Sequence, residues 1–112
     1  MRRARVQHDH HAPAHPPFRT RAGDRVRVDG DTDDVSFVHV STTNGKGRIP
    51  VRYLSAARPD ATVLFSYDTT ELPVVAGEVV TVIIDDPASR QSWCQDRSGA
   101  AGWVPYDAFG VT

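Results

Sequence analysis

Residues 8–17, HDHHAPAHPP, hold four histidines and an aspartate, the side chains of this chain best suited to bind a metal ion. Neutral imidazole nitrogens and carboxylate oxygens are ligands for zinc and nickel. The candidate ligands are His8, His10, His11 and His15. Their spacing matches no ligand pattern typical of such sites, and alternate residues of an extended chain point to opposite faces. A polar, proline-rich loop is therefore the favoured interpretation, and a small metal-binding or ligand-binding protein is the alternative.

Residues for catalysis are sparse in the rest of the sequence. The sequence contains no glycine-rich phosphate loop, no nucleophile elbow and no His-x-x-x-His zinc helix. The carboxylate pairs Asp33–Asp34 and Asp85–Asp86 lie in predicted hairpin loops, where solvated charge is the usual explanation. A single cysteine, Cys94, excludes an intrachain disulfide and a cysteine-rich metal cluster. We therefore expect a protein that is not an enzyme and needs no cofactor.

Composition narrows the classes of partner. The 112 residues carry 13 basic and 14 acidic side chains, a net charge of −1, so no basic field attracts nucleic acid. No apolar run approaches the roughly 20 residues that span a bilayer, and the N-terminal sequence lacks the apolar core of an export signal. We expect a cytoplasmic protein that binds neither nucleic acid nor membrane. Twelve arginines against one lysine favour a GC-rich, bacterial genome.

The chain alternates apolar and polar residues with the period of a β-strand. The alternating runs are DRVRVDG (24–30), DVSFVHVST (34–42), ATVLFSY (61–67), EVVTVIIDD (78–86) and SWCQD (92–96). Turn signals separate them, including the Asn-Gly pair of TTNGKG, which is typical of a hairpin. No segment shows a convincing helical period. The pattern predicts an all-β fold of short antiparallel strands.

One pattern occurs twice along the chain. AGDRVRV at 22–28 matches AGEVVTV at 76–82, and GRIPVRYL at 47–54 matches GWVPYDAF at 102–109. The matched segments make the chain a tandem repeat. We predict one-turn helical segments directly after Pro50 and Pro105, the prolines of the second matched pair.

The repeat divides the sequence into two predicted units, residues 1–55 and residues 61–112. Residues 56–60 form the predicted linker, which is hydrophilic and contains Pro59, a residue that cannot donate a hydrogen bond to a sheet. Units of about 55 residues lie near the lower size limit for independent folding. We therefore expect the two units to pack together.

Five elements of the second copy follow one another in a characteristic order. They are VLFSY (63–67), ELPVVAGE (71–78), VVTVIIDD (79–86), Trp93 and GWVP (102–105). In this order they resemble the Src-homology-3 family. The first copy matches through AGDRVRV, through Phe37 at the position of the tryptophan, and through GRIPVRYL, which ends in Tyr53; ARVQH at 4–8 is its candidate opening strand. The resemblance implies two small five-stranded barrels in tandem.

The resemblance also implies a non-catalytic module that binds extended proline-rich segments. Flat aromatic side chains accept the prolines of a stiff polyproline II helix at little entropic cost. The implied binding residues are Phe65, Tyr67, Trp93, Pro105 and the neighbouring Tyr106 in the second copy, and Phe37, Pro50 and Tyr53 in the first. Neither copy has the full aromatic set, since Ala108 stands where the last groove tyrosine is expected in the second and Phe37 replaces the tryptophan in the first. Two kinds of partner stay open: a proline-rich segment held by an adaptor, or a folded enzyme that this chain serves as an accessory subunit.

Overall fold

The computed structural model describes residues 1–14, 16–31 and 37–110. The strands are β1 (Arg2–Arg5), β2 (Arg19–Thr20), β3 (Arg25–Asp31), β4 (Phe37–Thr42), β5 (Gly45–Pro50), β6 (Asp60–Thr62), β7 (Tyr67–Asp68), β8 (Val79–Asp86), β9 (Gln91–Gln95) and β10 (Ala101–Pro105). Short 3-10 helices follow at Val51–Tyr53 (η1) and Tyr106–Phe109 (η2). The predicted all-β class is confirmed, as are the one-turn segments after Pro50 and Pro105. The predicted loop with Asp33 and Asp34 lies outside the described residues.

The strands form two four-stranded sheets, ordered β1-β8-β9-β10 and β5-β4-β3-β6, and the two-stranded sheet β2-β7. The chain divides into two compact units. One, which we call the split unit, combines Met1–Pro16 with Thr70–Thr112; the other, the continuous unit, is Pro17–Thr69. This division differs from the predicted units 1–55 and 61–112. None of the described helices has the length and apolar composition needed to cross a bilayer.

The split unit holds β1, β8, β9 and β10. Strand β1 pairs antiparallel with β8, from Arg2 opposite Val82 to Arg5 opposite Val79. Its apolar core consists of Val6, Leu72, Val74, Val80, Val82, Cys94, Val104 and Ala108. A bulge in β8 between Val82 and Ile84 interrupts the strand's alternation, and Ile84 is exposed. Because Val6 belongs to this core, the N-terminal segment is part of the split unit.

The continuous unit is built around β3, which pairs with β4 on one side and β6 on the other. Val38 and Val40 alternate with exposed or partly exposed residues along β4 and are buried, as the sequence pattern predicts. The hairpin between β4 and β5 turns at Thr43-Asn44, directly before Gly45. Farther along β5, a Cβ at Gly47 would come within 3.0 Å of the Phe18 side chain, so glycine gives this buried ring its space.

The opening segment of the first repeat, ARVQH at 4–8, forms backbone hydrogen bonds with the turn of the second repeat. The amide of Gly77 donates to the carbonyl of Val6 at 2.8 Å, and the amide of Val6 donates to the carbonyl of Glu78 at 2.8 Å. Gly77 has a φ of +92°, a conformation that favours glycine at this turn. The pairing explains why residues 1–16 group with the C-terminal half of the chain.

The opening segment of the second repeat, ATVLF at 61–65, makes the reciprocal pairing. The amide of Gly23 donates to the carbonyl of Val63 at 2.8 Å, and the amide of Val63 donates to the carbonyl of Asp24 at 2.8 Å. The pattern is the same as around Val6. In both places the turn glycine donates to the valine carbonyl, and the valine amide donates to the carbonyl of the residue after the glycine. Residues 4–8, which we predicted to open the first repeat, thus pair at the turn of the second, and residues 61–65 pair at the turn of the first; we call this arrangement the exchange of opening segments. Each four-stranded sheet accordingly contains strands from both repeats.

Candidate functional site

Three aromatic rings meet in the continuous unit. The ring of Tyr53, at the end of η1, contacts Phe65 edge-on with centroids 5.7 Å apart and contacts Tyr67 with centroids 5.3 Å apart. Tyr53 belongs to the first sequence repeat, whereas Phe65 and Tyr67 belong to the second. The exchange of opening segments therefore brings binding residues implied for both copies into one cluster. We call Tyr53, Phe65 and Tyr67 the aromatic site.

The aromatic site has a buried member and an exposed member. Tyr67 is only 7% exposed, whereas Phe65 is 60% exposed and its neighbour Leu64 is 48% exposed. The amide of Leu64 donates to the carbonyl of Tyr53 at 2.7 Å and ties the two chain segments together. Large exposed apolar side chains beside one another are typical of binding surfaces. Phe65 and Leu64 are thus exposed to solvent beside Tyr53, with Tyr67 packed inside.

Phe37 and Pro50 adjoin this site along the chain. They lie opposite each other in the β4–β5 ladder, and Pro50 leads directly into η1, which carries Tyr53. Phe37 is partly exposed, but the side chain of Pro50 is almost completely buried. Phe37 is therefore accessible to a ligand, while Pro50 packs inside the protein and offers it no surface.

Arginines stack on two of these rings. The guanidinium of Arg48 lies 4.9 Å from the ring centroid of Phe37, and that of Arg52 lies 5.0 Å from the ring centroid of Tyr53. Cation–π contacts of this kind attract a guanidinium to the face of a ring. Both arginines are exposed. Arg52 thus lies against a ring of the aromatic site, whereas Arg48 lies against Phe37.

The other implied residues of the second copy belong to the split unit. Trp93 lies opposite Trp103 in the β9–β10 ladder, and their rings meet edge-on with centroids 5.3 Å apart. Trp103 is buried and Trp93 is partly exposed. Trp93 also lies opposite Ile84 in the β8–β9 ladder. The implied set of Phe65, Tyr67, Trp93 and Pro105 is thus divided between the two compact units.

Tyr106 makes a polar contact that links η2 to β8. Its hydroxyl donates to Asp85 Oδ1 at 2.5 Å, and the Ser92 hydroxyl donates to the same oxygen at 2.9 Å. The Tyr106 and Ser92 hydrogen bonds lower the pKa of Asp85. Burial, together with Asp85, raises the pKa of Tyr106 to about 12. The phenol therefore stays protonated and holds the carboxylate, a structural role.

The histidine segment makes a defined contact at one residue. His10 Nε2 and Glu71 Oε1 share a hydrogen bond at 2.9 Å, and both side chains are partly buried. His8 and His11 are exposed, and His15 lies outside the described residues. In the part of the chain that the structure describes, no three histidine, cysteine, aspartate or glutamate side chains are grouped to hold a metal ion. His10 instead anchors the N-terminal segment within the split unit.

Sequence reasoning overlooked several residues of the site. An exposed leucine or arginine is common in a strand pattern, so the pattern did not identify Leu64, Arg48 or Arg52 as binding residues. A signal was nevertheless present in the repeat. The first opening segment lacks aromatic residues and the second has them, whereas Tyr53 of the first repeat corresponds to Ala108 of the second. The aromatic residues of one site were thus distributed over two repeats.

Comparison of the chain with protein-family models, curated proteins and solved structures finds no match. The assignment of the site accordingly depends on its geometry.

Proposed function

We propose that this chain is a non-catalytic interaction module whose aromatic site binds an extended, proline-rich segment of a partner protein. The observation that carries the proposal is the position of Phe65, a residue that is 60% exposed and whose ring packs edge-on against Tyr53. Large aromatic side chains are normally buried, and aromatic side chains at a surface commonly act as binding anchors.

The chemistry of a proline-rich segment fits such a surface. A polyproline II helix has no internal hydrogen bonds, so its carbonyl groups stay available, and its stiffness lowers the entropy lost on binding. Flat rings such as Phe65 accept prolyl rings, and a tyrosine hydroxyl can donate to a ligand carbonyl. Leu64 adds exposed apolar area beside these rings.

We further propose that the two units are Src-homology-3-like barrels that have exchanged their opening segments. Three repeated features support this fold. The two four-stranded sheets have equivalent orders, each has a 3-10 turn after its proline, and each turn glycine makes the same pair of backbone hydrogen bonds with the opening segment. In this arrangement, one barrel receives the aromatic residues that the sequence distributes over both repeats.

The test is a fluorescence-polarisation titration of the full chain with a labelled peptide built from Pro-x-x-Pro repeats. Phe65→Ala should weaken binding roughly thirtyfold, because truncation of an aromatic anchor commonly costs about 2 kcal/mol. Tyr53→Ala should weaken it as well. The matched control is Val75→Ala, which removes a side chain 57% exposed in the split unit and should leave the affinity unchanged. Unchanged binding by Phe65→Ala, or no binding by the natural chain, would contradict the proposal.

The second candidate function is that of an accessory subunit that docks on a larger folded partner. The exposed apolar residues of β8 favour it, since Ile83 is 39% and Ile84 is 54% exposed and Ile84 lies opposite Trp93. Affinity capture from cells with the natural chain and with Ile84→Asp tests this possibility. A folded enzyme captured by the natural chain and lost with the variant would support docking through β8. Retention of that enzyme by the variant would exclude this surface.

A further inference from the structure

We propose that the outer edge of β1 binds an acidic, extended segment of a partner protein as an added β-strand. This inference goes beyond the proposed function, because β1 belongs to the split unit and the aromatic site to the continuous unit. It follows from the position of β1 in its sheet and from the side chains that β1 carries.

Strand β1 is an edge strand. In the order β1-β8-β9-β10 it pairs on one side only, with β8. The amide of Val6 donates to the carbonyl that directly precedes β8, whereas the amide of Gln7 donates to the carbonyl of Ala108 on the other side. Because the backbone groups of alternate residues in a strand face the same side, those of Arg3 and Arg5 face away from β8.

The outward backbone groups of β1 are available for pairing. Within residues 1–14, 16–31 and 37–110, no hydrogen bond joins the outward N–H or C=O of Arg3 or Arg5 to another residue. Both residues are exposed. Unpaired groups along a sheet edge form a template for another extended chain. Each of the two residues therefore offers one donor and one acceptor to an added strand.

The side chains of β1 are mostly basic. Its sequence is RRAR, and Arg2, Arg3 and Arg5 are all exposed. Arg2 lies 3.9 Å from the carboxylate of Asp85, and Arg5 donates to the neutral carbonyl of Gly77 at 2.9 Å. Arg3 makes no ion pair or side-chain hydrogen bond with the part of the chain that the structure describes. Arg3 and Arg5 therefore keep an uncompensated positive charge beside the outward backbone groups.

An acidic polypeptide fits this edge best. Pairing between the β1 strands of two copies would place arginines opposite arginines, and like charges across a ladder are destabilising. A segment with alternating glutamates instead places carboxylates opposite Arg3 and Arg5. Nucleic-acid phosphates could accept from the arginines, but they offer no donor to the outward carbonyls. An extended acidic segment supplies both the opposite charge and the backbone partners.

The experiment titrates the full chain with three labelled peptides in which valine alternates with glutamate, glutamine or lysine. At low salt, the glutamate peptide should bind roughly tenfold more tightly than the glutamine peptide, and the lysine peptide should bind least tightly. A glutamate peptide with alternate backbone amides methylated keeps its charge but cannot donate to the edge, so it should bind roughly tenfold more weakly. Equal binding by the methylated peptide, or by an oligonucleotide of equal charge, would overturn the inference.

Variants at Arg3 separate charge from backbone pairing. Arg3→Gln should weaken binding of the glutamate peptide, and Arg3→Lys should retain most of it. Arg3→Pro also removes the outward N–H while leaving the bonds to β8 in place, so it should weaken binding more than Arg3→Gln. Arg97→Gln, an exposed change between β9 and β10, is the matched control and should alter nothing. Equal affinity of Arg3→Pro and the natural chain would contradict pairing at this edge.

Hydrogen exchange of the full chain shows where the peptide binds. The amides of Arg3 and Arg5 should exchange roughly tenfold more slowly when the glutamate peptide is saturating, whereas the amide of Ala4, which faces β8, should change less. Tryptophan emission of each variant verifies that the split unit is folded. Binding without slower exchange at Arg3 and Arg5, or no binding of the glutamate peptide, would overturn the inference.

Discussion

The rings of Tyr53 and Phe65 meet edge-on with centroids 5.7 Å apart, although the two residues belong to different sequence repeats. Their contact depends on the pairing of residues 61–65 with the turn of the first repeat, where Val63 exchanges backbone hydrogen bonds with Gly23 and Asp24. Pairing of each opening segment within its own repeat would place Phe65 beside the repeat that has Ala108 instead of Tyr53. The exchange is therefore a condition for the aromatic site.

The exchange predicts which half of the chain each opening segment stabilises. Val6 and Val63 occupy matching positions, each 1% exposed, in the split unit and the continuous unit. Replacing either with alanine should lower the free energy of unfolding of its own unit by about 2 kcal/mol, through lost burial and a residual cavity. Both tryptophans lie in the split unit, so their emission reports on that unit.

Urea unfolding followed by tryptophan emission separates the two variants. Val6→Ala should shift the tryptophan transition to lower urea, and Val63→Ala should shift the transition of a probe on the aromatic site. If Val6→Ala left the tryptophan transition in place while Val63→Ala moved it, the opening segments would pair within their own repeats.

The thiol of Cys94 should react slowly in the folded protein. Cys94 is fully buried in the split unit's core, and burial raises its pKa to about 11, so little thiolate forms at about pH 8. Reaction with an aromatic disulfide reagent should be at least tenfold slower than in denaturant. Val6→Asp should accelerate it, because a charge in the same core opens the split unit. A natural chain whose thiol reacts as fast as the denatured one would contradict this packing.

The hydrogen bond between Tyr106 and Asp85 makes a contribution to stability that depends on pH. Because the pKa of Asp85 is lowered in the folded protein, its contribution is present above the pKa of the unfolded carboxyl and is lost as the pH falls through the folded pKa. Tyr106→Phe removes the largest cause of the shift. In this variant, a carbon-detected NMR titration should therefore show a higher pKa for Asp85. Urea unfolding at a series of pH values should show that the variant loses less stability in acid than the natural chain.

Asp96 provides the internal control for this titration. Its pKa is lowered mainly by the Ser98 hydroxyl, in a turn that does not include Tyr106. The titration of Asp96 should be the same in the variant and the natural chain. A pKa of Asp85 that failed to rise would show that the phenol does not hold this carboxylate in solution.

Trp93 should contribute to the packing of the split unit and not to peptide binding at the aromatic site. Its edge-on contact with Trp103 is of a kind worth about 0.5–1.5 kcal/mol beyond burial. Trp93→Ala should thus lower the thermal midpoint while the Pro-x-x-Pro peptide binds with unchanged affinity. Thermal melting and polarisation titration of the same sample measure both effects. A large loss of affinity in a folded variant would move the binding surface to Trp93.

The sequence allowed prediction of those parts of the fold that depend on local interactions. Period-two alternation identified the β4 strand with Val38 and Val40 inside, and Asn44-Gly45 identified its hairpin. The exchange was not predictable from such patterns. Pairing within a repeat and pairing between repeats offer the same backbone donors and acceptors, as the matching bonds of Val6 and Val63 show.

The candidate site could be predicted only as separate residues. Tyr53, Phe65 and Tyr67 were each implied by the family resemblance, but they were assigned to two incomplete grooves. Which rings meet depends on long-range pairing of the opening segments, and the local sequence pattern does not specify that pairing. The buried state of Pro50 likewise follows from tertiary packing.

Amide and indole NMR spectra of the full chain during addition of the Pro-x-x-Pro peptide test the central claim most directly. Binding at the aromatic site predicts the largest shift changes at the amides of Tyr53, Leu64 and Phe65, which share one surface of the continuous unit. The indole N–H signals of Trp93 and Trp103, both in the split unit, should move little. Large changes at the two indoles with none at Leu64 and Phe65 would contradict the claim.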